Sequence, residues 1–399
     1  MKDGQMAKRG DRMAAKRRRQ EREKQRRHTV PETDPGPEAF GIKMPSPAAP
    51  GGPASRPDFS EVDWDKLKAA YPDGAHGLMR AMFLGLIGER AKRAKDLLSW
   101  GLRPNPIHRE SRLAFDDVAV TLEDETNLVS STALYPTMNA CENLAAAAEV
   151  IALALTQGQI RTSATAALCR IAMESSAKTI WLISETDTEE RIRRCYGFLK
   201  AERGRQEEFE RLEAEALAAR TDPLAEVDLT NFEKRRERVA ARQAKIAALS
   251  AEHITGPSGG PLKLVEGAEI WMDEQLPRKA DAELDAVMHP RSAKSFYSLG
   301  SGFVHGFKWL MGYVLNDEEL DDTPLLAITL DSFGNAIRMT EAAVSLYEAQ
   351  SVGPRPDPKR ARNYPDGVAD AVEVLAPQYR FAEKRTPTEL GEGHRGSGA

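Results

Sequence analysis

Cysteine is scarce in this chain. Cys141, Cys169 and Cys195 are its only three, and none forms a C-x-x-C pair. So odd and sparse a set excludes a disulfide framework and a structural zinc site, and it points to a reducing compartment. Metal chemistry finds no support elsewhere, because no H-E-x-x-H or paired E-x-x-H arrangement occurs and no metal site is expected. Glycine-rich phosphate loops and nucleophile elbows are missing too, so no cofactor is expected. Long apolar runs are also lacking. The longest, Leu144 to Thr156, is interrupted by Glu149 and falls short of the roughly 20 residues a membrane span needs. The positive N-terminus has no apolar stretch behind it, unlike a secretory signal. These absences together predict a cytoplasmic protein with no membrane partner.

Charge is present in quantity but unevenly placed. The chain carries a net charge of -5, while residues 1–28 hold twelve Lys or Arg against four acids. The other residues are therefore acidic on balance, which disfavours a uniformly basic nucleic-acid-binding domain. The Lys16–His28 run is expected either to be a quiet solubilising tail or to attract nucleic acid non-specifically through its phosphates. No aromatic residue is interleaved in residues 1–28, so base stacking there is not expected. Prolines crowd residues 31–57, and residues 1–60 have too little apolar content to offset the entropy of ordering. They are expected to be a disordered tail, as are residues 352–399.

Between the tails, apolar residues recur at three- and four-residue spacing. A short helix is expected before Pro72, then helices over 78–102, about 131–156, and from Thr162 or Ser163 to Ile183. The stretch 103–130 is mixed, broken by Pro104 and Pro106. Thr186 and Glu189 have the form of a capping box for the next helix. From 188 to 220 and from 230 to 253 the apolar stripe thins, and Asp222-Pro223 divides the two stretches. They read as an antiparallel hairpin, with 188–254 forming an arm. Pro257–Pro261 reads as a flexible loop, and helices resume at 280–288, 292–315 and 325–347. The fold class is all-α: a multi-helix bundle over residues 61–351 with a projecting helical hairpin and disordered tails.

Two constellations carry candidate chemistry. Arg170, Glu174 and Lys178 share one face of the 162–183 helix, with Trp181 close by. On a solvated face they would be a ladder of weak ion pairs. The rest of this helix is apolar or small, however, and a helix apolar most of the way round is central. The second constellation is Tyr297, Ser301 and His305, a polar stripe at four-residue spacing among Phe296, Leu299, Phe303 and Phe307. Gly300, Gly302, Gly306 and Gly312 each cost roughly 1 kcal/mol in a helix interior, which suggests another backbone in close approach. His305 is accordingly expected to be buried or half-buried, either as a hydrogen-bonded core histidine or as an acid–base group.

These segments resemble a broad family of bacterial all-helical proteins of no settled activity. That family has an Arg-x-x-x-Glu helix ending near Trp-Leu, an Arg-rich segment, and later a Tyr-x-x-x-Ser-x-x-x-His-Gly helix. The matching residues here are Arg170 to Glu174, Trp181-Leu182, Glu190 to Arg194, and Tyr297 to Gly306. The family is compared with HEPN-type domains of toxins and defence systems, which resemble metal-independent ribonucleases. Those use an Arg and, four to six residues on, a His of one helix. Here the only such match in the folded region is Arg103-Pro-Asn-Pro-Ile-His108, whose prolines oppose a helix. The resulting expectation is a binding or interaction protein with a buried polar cluster, working on an unidentified protein partner. Tyr297, Ser301 and Trp181 would be its binding residues. The alternative implied by the resemblance is a HEPN-like ribonuclease or defence protein. In it His305 would be the acid–base group, Glu174 its orienter and Arg170 an anion stabiliser.

Overall fold

The computed structural model describes residues 72–120, 126–156, 161–276, 293–316, 319–320, 322–355, 360, 363–365 and 367–380. The expected tail over 1–60, the short helix before Pro72, the 280–288 helix and residues 381–399 lie outside them. Phe83–Lys279 and Pro290–Ala399 form one compact unit. Of a second unit, the described part is the opening turns of α1 up to Met82.

The architecture is all-α. In chain order the helices are α1 (Pro72–Leu102), α2 (Arg112–Ala119), α3 (Leu128–Thr156), α4 (Thr162–Ile183), α5 (Thr188–Ala218) and α6 (Ala225–Ala247). They continue with α7 (Gly260–Gln275), α8 (Ala293–His305), α9 (Met311–Val314), α10 (Asp322–Ser351) and α11 (Val368–Tyr379). Among the described residues, the only strands are the two-residue pair Leu315–Asn316 and Glu319–Leu320. None of the described helices is long and apolar enough to cross a membrane.

Helix α4 is the hub. It packs against α3, α10, α8, α7 and the base of α5. Its buried positions are mostly small or hydroxylated, including Thr165, Ala166, Cys169, Ala172, Ser176, Ala177 and Thr179. Small side chains let neighbouring backbones approach closely, and most of the buried hydroxyls find partners, although the Thr165 hydroxyl has none among the described residues. Thr179 pairs with Thr137 of α3 at 2.9 Å, and Ser176 with Thr340 of α10 at 3.0 Å. Burial pushes the thiol of Cys141 up to about 12 and that of Cys169 higher still. Both stay protonated and act as small apolar fillers rather than nucleophiles.

Several boundaries differ from the sequence reading. Asp187, not Thr186, caps α5, its carboxylate accepting from the Glu190 amide at 3.0 Å. Gly260 and Pro261, read as the end of a flexible loop, open α7, a helix not expected from the sequence, which buries Leu264, Val265, Ala268 and Met272. Pro261 lies in its first turn, where a proline forfeits no helical hydrogen bond. Beyond Ser351, in a stretch read as loose from its prolines, α11 buries Leu375, Ala376 and Tyr379 against the bundle. Its Tyr379 hydroxyl donates to the Ser184 carbonyl at 2.7 Å.

The α5–α6 hairpin stands apart in its contacts. α6 packs on α5, and its contacts with other elements are slight. At the base, the Thr255 amide donates to the Arg193 carbonyl at 3.0 Å, tying the returning chain to α5.

Candidate functional site

The polar cluster forms where α8 crosses α4. Gly300 makes that approach possible. A Cβ there would meet the Arg170 Cβ at 3.0 Å and the Ala166 carbonyl oxygen at 3.3 Å. With the backbones this close, Arg170 reaches across. Its Nε donates to Ser301 Oγ at 2.8 Å, and its Nη2 to Tyr297 Oη at 2.8 Å. The guanidinium carbon lies 4.6 Å from the Tyr297 ring centroid, so the cation also sits over the ring's electron-rich face. Tyr297 Oη donates in turn to Glu174 Oε2 at 2.9 Å. Glu174 also lies 3.6 Å from Arg170 Nη2 and 3.4 Å from Lys178 Nζ.

The electrostatics follow from this wiring. One carboxylate is shared by two cations and one phenol, all partly shielded from water. Desolvation first, then the neighbouring Glu174 carboxylate, raises the Tyr297 phenol to about 12. Near neutrality Tyr297 is therefore a committed donor and not a base. Ser301 is committed as well, accepting from Arg170 and donating to the Tyr297 carbonyl at 3.0 Å.

His305 does not join them. It is the last residue of α8 and is exposed, its ring stacked on Phe307 at 5.5 Å between centroids. The expectation of a buried or half-buried imidazole is thus corrected. The helix expected to run on to 315 stops here because Gly306 takes a left-handed φ of 62°. That turn leads into a 3-10 segment, Lys308–Leu310, before α9. Among the described residues His305 makes no hydrogen bond with Glu174. Trp181, the remaining expected binding residue, lies instead under Arg194, whose guanidinium carbon is 5.3 Å from the indole. Arg194 also donates to the Trp181 carbonyl at 2.7 Å.

Two further buried polar centres were not read as such from the sequence, although Arg191 belongs to the Arg-rich segment that carries the family resemblance. Asp116 of α2 and Arg191 of α5 are fully buried and meet through two contacts of 2.6 Å, supported by the Thr188 hydroxyl at 3.0 Å. Burial raises the Asp116 carboxyl above its ordinary value, while Arg191 and Thr188 pull the other way. Glu348 of α10 is also fully buried. It accepts from Trp100 Nε1 at 2.7 Å, Asn105 Nδ2 at 3.1 Å and Arg360 Nη2 at 2.8 Å. A lone acid within the largely apolar stretch Ala342–Ala349 was the available signal. Its partners, however, lie more than two hundred positions earlier or in the loop beyond Ser351. Among the described residues, no grouping of His, Cys, Asp and Glu has the makings of a metal site. The Arg103–His108 segment lies outside any helix.

Surface chemistry differs between the bundle and the arm. On the arm, Phe209, Leu212, Leu224 and Val227 are each about half exposed or more. A cleft of about 290 Å³ lies between α5 and α6, lined by Gln206, Phe209, Glu210, Phe232, Arg235, Arg236 and Val239. Compared with protein-family models, curated proteins and solved structures, the chain matches none.

Proposed function

We propose that this protein is a helical interaction protein. In this reading the Arg170–Tyr297–Glu174 cluster is a joint that fixes α8 on α4, and the α5–α6 arm is the partner-binding element. The observation that carries it is that four large apolar side chains of the arm are exposed, Phe209 and Leu212 on α5 and Leu224 and Val227 at the turn into α6. Isolated exposed apolar residues are ordinary. Four on one hairpin, with Phe209 lining a cleft, support a binding surface. The polar cluster favours a structural role, because its donors and acceptors are spent on one another and its phenol holds its proton tightly. Residues 1–28 would add salt-dependent attraction to nucleic acid.

The test compares full-length protein with a version in which residues 200–245 are replaced by a short linker. The shortened protein should keep its helical far-ultraviolet spectrum and its bundle melting transition, yet lose the proteins that the full chain retains on affinity capture. Identical retained sets would overturn the arm's role. Loss of the whole fold would show that the arm is part of the core. For the tail, nucleic-acid binding at low salt should disappear when residues 1–28 are removed.

A further inference from the structure

Charge on the arm is divided between its two helices. From Lys200 to Ala218, the outer part of α5 carries six carboxylates against four cations. Over Ala225–Ala247, α6 carries six cations against four carboxylates. The hairpin is therefore net acidic along one helix and net basic along the other. Within α5 several charges are already used, Arg203 with Glu207 and Arg211 with Glu215 at i,i+4 spacing. On α6, Lys234, Arg235 and Arg236 make no ion pair with an acid among the described residues, and Arg235 rests over the Phe232 ring at 5.6 Å. The basic helix thus presents cations that its own hairpin does not neutralise.

The apolar pattern fits the charge pattern. Phe209 and Leu212 lie three residues apart and so share a face of α5, each about half exposed. Phe209 stands at the edge of the cleft whose far wall is Phe232, Arg235, Arg236 and Val239. A two-helix hairpin has no third element to cover such a face. The simplest completion is a four-helix bundle made from two hairpins.

Resting on the reading of the arm as a binding element, we infer that its partner is a second copy of this chain. Two arms pack about a two-fold axis with the acidic α5 of each against the basic α6 of the other. Phe209 of each copy enters the other's cleft, flanked by Leu212. A two-fold contact uses the same patch on both copies, so one molecule must hold both complementary signs, as this hairpin does.

The experiment is molar mass in solution, by light scattering or sedimentation equilibrium, on the full-length protein at low salt and about 100 µM. One chain is 44.0 kDa, so the expected mass is twice that, falling towards one chain as salt is raised and screening takes hold. The double substitution Phe209→Glu with Leu212→Glu should give a monomer with an unchanged helical spectrum. Two charge reversals give the sharper test. Arg235→Glu with Arg236→Glu, and separately Glu208→Lys with Glu213→Lys, should each yield monomers. Mixing the two variants should restore a dimer, since each reversed helix then faces its opposite. The inference is overturned if the wild-type protein is a 44.0 kDa monomer, if the Phe209/Leu212 variant stays dimeric, or if the mixed variants do not pair. A monomeric wild type whose arm still captures a different protein would sink self-pairing and leave the arm's binding role standing.

Discussion

The Tyr297 hydroxyl donates to the Glu174 carboxylate at 2.9 Å across a gap of 123 residues in sequence. Arg170 completes the triangle by donating to the same hydroxyl. Tyr297→Phe removes a donor from a carboxylate and an acceptor from a guanidinium. Its expected cost is about 1–3 kcal/mol, in keeping with hydrogen bonds to charged groups. The pH dependence has a definite sign. A phenol whose folded value is raised contributes stability that is fully present below the unfolded value, about 10, and is lost as pH rises through the folded value. With the folded value at about 12, the wild-type protein should weaken across that alkaline window. Urea midpoints of the wild type and the Phe variant should therefore converge there; parallel curves would remove Tyr297 from the account.

Gly300 lies where α8 approaches α4 closely. Ala in its place meets Arg170 Cβ and the Ala166 carbonyl, so α8 must shift from α4 or Arg170 must give way. Overpacking of this kind costs about 1–3 kcal/mol. The better helix propensity of Ala returns about 1 kcal/mol of that, so chemical denaturation of Gly300→Ala should show a net loss of up to about 2 kcal/mol. A variant more stable than the wild type would mean that the contact is soft.

The Asp116–Arg191 pair should be costly to halve. Asp116→Ala leaves a guanidinium buried without its carboxylate, a defect worth about 3–5 kcal/mol. The double variant Asp116→Leu with Arg191→Met should recover most of that loss, because the uncompensated charge is gone. A double variant as unstable as the single one would assign the cost to packing instead.

His305 is exposed at the end of its helix, so His305→Ala should change stability by no more than about 0.5 kcal/mol. The same variant tests the ribonuclease implied by the family resemblance. We expect no RNA cleavage that depends on His305. Cleavage by the wild type that vanishes in the variant would restore that reading.

What sequence alone determined was the set of regular elements wherever apolar spacing is sustained. The α4 helix is read to within about a residue at each end, and the Arg170 and Tyr297 stripes are each recognisable as a helix face. Such patterns are local, since a helix turn relates only residues three and four apart. Local chemistry also misled. Gly259, Gly260 and Pro261 resemble a loop yet open α7, and the prolines after Ser351 conceal α11. Tertiary structure decided which polar residues meet. Arg170 touches Ser301 across 131 positions, Glu348 receives Arg360 and Trp100, and one left-handed residue, Gly306, ends α8 with His305 in solvent. Periodicity states which side chains share a face. Only the packing of distant segments states what that face meets, because burial and pairing energies depend on neighbours the local sequence does not contain.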